Sequence, residues 1–155
     1  MHALVVLLVL ALVFNGTLAG ASLDTSLVKL PARLRIGARA YAVFARGNDL
    51  GSGRWVYPAW AVAAALLVFA ATVVALVHRP ATGAFVALVV ASVATLVHFG
   101  ATGRAAPLML GIRHAADDEA GLAARLDAFA RWHALRTVFQ ALAFLCLLAA
   151  FVSTR

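Results

Sequence analysis

Four apolar stretches of about twenty residues divide the chain, at about 3–22, 55–78, 82–102 and 132–153. At 1.5 Å of rise per residue, each reaches across ~30 Å of hydrocarbon. Lipid cannot satisfy free backbone N–H and C=O groups, so segments of this length must close their hydrogen bonds within helices. Composition points the same way. The 155 residues are 65% hydrophobic and 12% charged, with a mean hydropathy of +0.97, where a soluble domain is roughly 45–50% apolar. The expected fold is all-α: an integral membrane four-helix bundle forming a single domain over 1–155, with the lipid bilayer of the cell membrane as its first partner.

The connections carry the rest of the information. Between the first two spans lie Lys29, Arg33, Arg35, Arg39, Arg46 and Arg54. Leu27, Leu30, Leu34, Tyr41 and Phe44 recur there at roughly helical spacing, which predicts an amphipathic helix over about 26–46 lying at the interface. Pro31 suits its first turn, and Gly47–Gly53 (GNDLGSG) ends it. His78-Arg79-Pro80 makes a tight turn between spans two and three. Pro107 is expected to end or kink the third helix. Asp117, Asp118 and Glu119 suit the first turn and solvated face of a second amphipathic segment, about 117–131, running unbroken into the fourth span. Leu122, Leu126, Phe129 and His133 mark one face of it.

The net charge is +7, and of thirteen Lys and Arg, six lie in the first connection, five between Arg104 and Arg136, and only Arg79 and Arg155 on the other side. The positive-inside rule then predicts both long connections in the cytoplasm and both termini outside. Basic residues so distributed meet lipid headgroups, and no nucleic-acid motif accompanies them. The first segment is expected to be retained rather than cleaved, since no Lys or Arg precedes it. Cys146 has no thiol partner and reads as a buried, inert residue. A homo-oligomer is compatible with all of this.

Polar side chains inside apolar spans are costly and mark packing devices or sites. Trp132, Arg136 and Gln140 fall at i, i+4 and i+8, a stripe about 12 Å long on one helix face. His133 and Thr137 flank it, and Thr95, His98 and Thr102 repeat at i, i+3 and i+7. Antiparallel topology brings Asp24, His98, Trp132, His133 and Arg136 to one end of the bundle. Arg136 then either closes an ion pair with Asp24 or faces a pocket beside His98. Asn15 and Gln140 are suited to interhelical hydrogen bonds or to binding. Trp55, Tyr57, Trp60 and Trp132 fit an aromatic belt. His98 with His133 is the one histidine pairing at a common depth, but no CxxCH, HxxxH or carboxylate cluster signals haem or a di-iron site, so no metal or cofactor is expected.

The stretches Asn15–Ala32 (NGTLAGASLDTSLVKLPA), Gly47–Gly53, Thr102–Leu110 (TGRAAPLML) and Phe129–Leu145 (FARWHALRTVFQALAFL) together resemble the anthrone oxygenase-like family of small four-helix membrane proteins. The marks are Gly16, Gly20, Pro31, Pro107, Phe129, Trp132 and Arg136. That resemblance implies oxidation of a hydrophobic aromatic small molecule by molecular oxygen as co-substrate, without metal or flavin. Such chemistry needs a base and a dry pocket. His98 or His133 suits the base, Arg136 a phenolate, and Trp132 a ring. The alternative is a non-catalytic scaffold, complex subunit or hydrophobe- or lipid-binding protein. A cavity among the helices, with His98 or His133 and Arg136 at its mouth, distinguishes the two.

Overall fold

In a computed structural model describing residues 2–115 and 118–154, the chain is a four-helix bundle with no strand among the described residues. Met1, Ala116, Asp117 and Arg155 lie outside the described residues, so the expectations for Asp117 as a first-turn acid and for Arg155 are not addressed. The helices are α1 (His2–Asp24), α2 (Leu30–Ile36), α3 (Ala38–Gly47), α4 (Gly53–His78), α5 (Thr82–Ile112) and α6 (Glu119–Ser153). Four helical stretches are long and apolar enough to cross a membrane.

α6 has 35 residues and α5 has 31. At 1.5 Å per residue they run about 52 and 46 Å, well beyond a ~30 Å hydrocarbon layer. α5 continues through Pro107 to Ile112, so of the two expected outcomes, an end or a kink, this proline does not bring the first. α6 begins with Asp118 as N-cap, its carboxylate accepting from Ala120 N and Gly121 N, and runs without a break into the last span. The turn at His78–Pro80 closes through Arg79 in the left-handed conformation.

Two separate cores result. At one end Leu4, Leu8, Ala11, Val68, Leu88 and Leu147 pack with four further alanines into an apolar tier. Alanine there lets the backbones approach closely. At the other end the projecting halves of α5 and α6 bury Met109, Ile112, Leu122, Leu126 and Phe129 against Leu30, Tyr41 and Leu50. The face predicted by Leu122, Leu126, Phe129 and His133 is buried as expected.

The first connection differs from the single interfacial helix over 26–46. A π-helical turn (Thr25–Lys29) prolongs α1 into α2, and Gly37 (φ +86°) then breaks the path before α3. The predicted apolar face divides accordingly: Leu30 and Tyr41 are buried in the second core, while Leu27, Leu34 and Phe44 are exposed. Side chains from three elements clamp this unit. Glu119 accepts from Ala38 N (2.5 Å) and Arg39 N (3.1 Å), capping α3 from the start of α6. Arg33 pairs with Asp127 at 2.6 Å. Arg46 donates to the carbonyl oxygens of Ile112 (3.2 Å), the last residue of α5, and of Ala115 (3.1 Å) in the turn beyond it. Ile112 O otherwise accepts only a long bond from Ala115 N (3.4 Å), and a guanidinium there also meets the negative end of the helix dipole. Glu119 is exposed in the first turn of α6 as expected, and it caps α3 as well. Cys146 is half-buried rather than buried.

Candidate functional site

Between the two cores lies a tier of buried polar side chains: Asn15, Ser22, Thr95, His98, His133, Thr137 and Gln140. On α6 they fall at 133, 137 and 140, continuing the apolar stripe of 122, 126 and 129. This corrects the expected stripe. Gln140 belongs to the buried face, Arg136 stands at its edge, and Trp132 lies outside it, 38% exposed under the guanidinium of Arg104.

The far side of the tier is closed by pairing. Gln140 Nε2 donates to Asn15 Oδ1 at 2.8 Å, and Asn15 Nδ2 donates to Ala11 O at 2.9 Å. Gly16 lets the helices come this near, because a Cβ at that position would stand 3.0 Å from Phe144 Cε2. Asn15 and Gln140 are therefore an interhelical link, and neither lines the cavity described next.

The two histidines are held by backbone carbonyls. His133 Nε2 meets Ser22 O at 3.2 Å, and His98 Nδ1 meets Arg136 O at 3.1 Å. A carbonyl oxygen only accepts, so each of these nitrogens carries the hydrogen when the ring is neutral. The lone pairs then sit on His98 Nε2 and His133 Nδ1. Phe129 packs on the His133 ring at 5.1 Å, and His133 Nδ1 is buried without a hydrogen-bond partner. Thr137 Oγ1 donates to His133 O at 2.8 Å, so the Ser26 hydroxyl donates to Thr137 Oγ1 across 3.0 Å.

His98, His133 and Arg136 line one cavity of about 280 Å³. Leu18, Leu50, Pro58, Phe99, Met109 and Phe129 make most of the remaining wall apolar. Arg136 does not meet Asp24, which pairs instead with Lys29 at 2.9 Å on the outer surface. Among the described residues no carboxylate lies within ion-pair distance of Arg136, and its Nε is buried without a hydrogen bond. The choice between a closed ion pair and a pocket is thus decided for the pocket.

Other polar residues line the cavity too, among them Asp49, which sequence reasoning missed, and Arg54 and Tyr57, which it read only as a basic connection residue and an aromatic-belt residue. Asp49 sits on a π-helical turn (Asn48–Ser52) where Gly51 kinks the chain ahead of α4. Burial pushes its carboxyl up from the usual range, and the charges of Lys29 and Arg136 pull it back down. One signal was available: Asp49 is the only acidic residue between Asp24 and Asp117. Arg54 also has a buried Nε without a partner, while its guanidinium lies over Trp55.

Two arginines and one carboxylate give the lining an excess positive charge. A neutral imidazole lone pair beside a guanidinium that no carboxylate contacts among the described residues, in a mostly apolar chamber, can take a proton from a weak acid and hold the resulting anion. Among the described residues, no three His, Cys, Asp or Glu side chains gather into a metal-binding group. No family model, curated protein or solved structure matches the chain.

Proposed function

We propose that this is a multi-pass membrane protein that binds a hydrophobic aromatic molecule and oxidises it with molecular oxygen, without a metal or organic cofactor. The observation that carries the proposal is the shared cavity of His98, His133 and Arg136, with no carboxylate among the described residues in ion-pair contact with Arg136. The resemblance to anthrone oxygenases supplies the reaction class. In that chemistry a ring methylene loses a proton to the base, and the carbanion gives its electrons to dioxygen. A C–O bond forms, the hydroperoxide takes up the proton, and loss of water leaves a ketone. One CH₂ and one O₂ thus give one C=O and one water.

His98 is assigned as the base, since its lone-pair nitrogen is the one not engaged with Arg136 O. Arg136 holds the substrate oxygen, and Arg54 adds positive charge to the same wall. Phe129 and Tyr57, rather than Trp132, offer ring faces to the substrate, because they line the cavity and Trp132 does not. Basic connections in the cytoplasm, with both termini outside, fit the positive-inside rule, and the cavity then lies at the cytoplasmic end. The apolar tier beyond the Asn15–Gln140 pair argues against a path across the membrane.

A hydrophobe-binding scaffold is the second reading, favoured by the backbone bonds that hold both histidines in place. Oxygen uptake with an anthrone by purified, metal-free protein distinguishes the two. Uptake that falls in His98→Ala supports oxygenation, and no uptake across a panel of polyphenols supports the scaffold.

A further inference from the structure

A second recess, about 120 Å³ and walled almost wholly by apolar atoms, opens between α1 and α4. Thr17, Val56 and Trp60 belong to it alone, whereas Leu18, Ala21 and Tyr57 also line the main cavity. These three residues are therefore the partition between two contiguous spaces. Thr17, Val56 and Tyr57 are exposed on the surface of the bundle, Thr17 toward the end of the first span and Val56 and Tyr57 at the start of the second, where a bilayer would surround them.

The partition is built to move. Tyr57 folds back over Gly53, where an added Cβ would stand 3.0 Å from its Cε2. Pro58 has no N–H to give the carbonyl of Arg54, and Gly51 kinks the backbone just before the helix. The beginning of α4 is thus held by fewer backbone bonds than the rest. Trp60 and Phe14 stack at 4.6 Å behind the recess, and Trp60 Nε1 is buried without a partner. An aromatic side chain at the lipid interface moves between rotamers without breaking a hydrogen bond when, as for Tyr57, none to the described residues holds it.

We propose that the cavity fills sideways from the bilayer, through the α1–α4 recess, with Tyr57 as the gate. The molecule that uses this route is an aromatic hydrophobe dissolved in the membrane. The route rests on the cavity being the site for such a molecule. It does not require that the molecule be oxidised.

The test uses the full chain in proteoliposomes, with Trp55→Phe and Trp132→Phe leaving Trp60 as the sole tryptophan. Energy transfer from Trp60 to 2-hydroxyanthracene is followed by stopped flow. Adding Thr17→Phe and Val56→Phe to this background is expected to slow association and dissociation together, at least tenfold, with the equilibrium affinity changed less than twofold. Tyr57→Ala is expected to speed both, a direction that misfolding does not produce. Unchanged rates in the plugged variant, or no energy transfer in the protein with the recess open, overturn the route. Gated binding without oxygen uptake from an anthrone retires oxygenation and leaves the route standing. Oxygen uptake with ungated binding does the reverse.

Discussion

The Nδ1–H of His98 on α5 bonds to the backbone carbonyl of Arg136 on α6 at 3.1 Å. The side chain of the same arginine lines the cavity that His98 also lines. One residue thus fixes the tautomer of the imidazole through its backbone and supplies a positive charge through its side chain. Proton removal and anion binding are thereby placed at one contact between α5 and α6.

His98→Ala is expected to lower anthrone oxidation by about 10²–10⁴-fold, the usual contribution of a positioned base. His133→Ala is expected to lower it far less, because His133 Nδ1 is enclosed. Oxygen-electrode rates for the two variants, at matched expression and monodispersity, check this. Equal rates in both variants and the parent would remove the histidines from the mechanism.

Arg136→Met is expected to weaken binding of a hydroxylated aromatic at least tenfold while leaving thermal stability unchanged or raised. A partly buried guanidinium with no carboxylate in contact among the described residues gains little from its surroundings, and replacement by an apolar side chain relieves the desolvation cost. Asp49→Asn removes the opposing charge and should tighten binding of the anionic form. Titrations with 2-hydroxyanthracene, alongside melting in detergent, measure both effects.

The Asn15–Gln140 bond is expected to contribute about 0.6–1.7 kcal/mol, the range found for interhelical hydrogen bonds in membrane helices. A double-mutant cycle with Asn15→Leu and Gln140→Leu reads this coupling directly. A coupling near zero would mean that the pair is not formed in the membrane.

Gly37→Ala is expected to destabilise the α2–α3 unit by about 1–3 kcal/mol, because φ +86° with ψ 156° is a conformation that only glycine adopts readily. The new methyl group would also stand 3.2 Å from the Glu119 carboxylate that caps α3. Glu119→Ala removes the cap itself and should cost about 0.5–2 kcal/mol. Hydrogen exchange at residues 38–41 is expected to accelerate in both variants, with residues 4–11 unaffected.

Apolar length alone determined the bundle. Backbone groups must be satisfied within a segment once lipid surrounds it, so four twenty-residue runs become four helices whatever their neighbours do. The long face of α6 was equally readable, since Leu122, Leu126, Phe129 and His133 repeat at the helical period. Periodicity also names which residues share a face, but not which face the rest of the chain covers. That is why Arg136 and Trp132, one turn apart, part company: α1 and α5 cover one side of α6 and leave the other open. Basic residues counted by sequence only as topology signals acquire separate tasks in the same way, Arg46 capping α5, Arg33 holding Asp127, and Arg54 lining the cavity. Asp24 found Lys29, its neighbour one turn away, and left Arg136 to a chamber facing Asp49. Short-range pairing is decided by local helix geometry, whereas the opposition of Asp49 and Arg136 depends on the kink at Gly51 and on the packing of α2 and α3 against the projecting ends of α5 and α6.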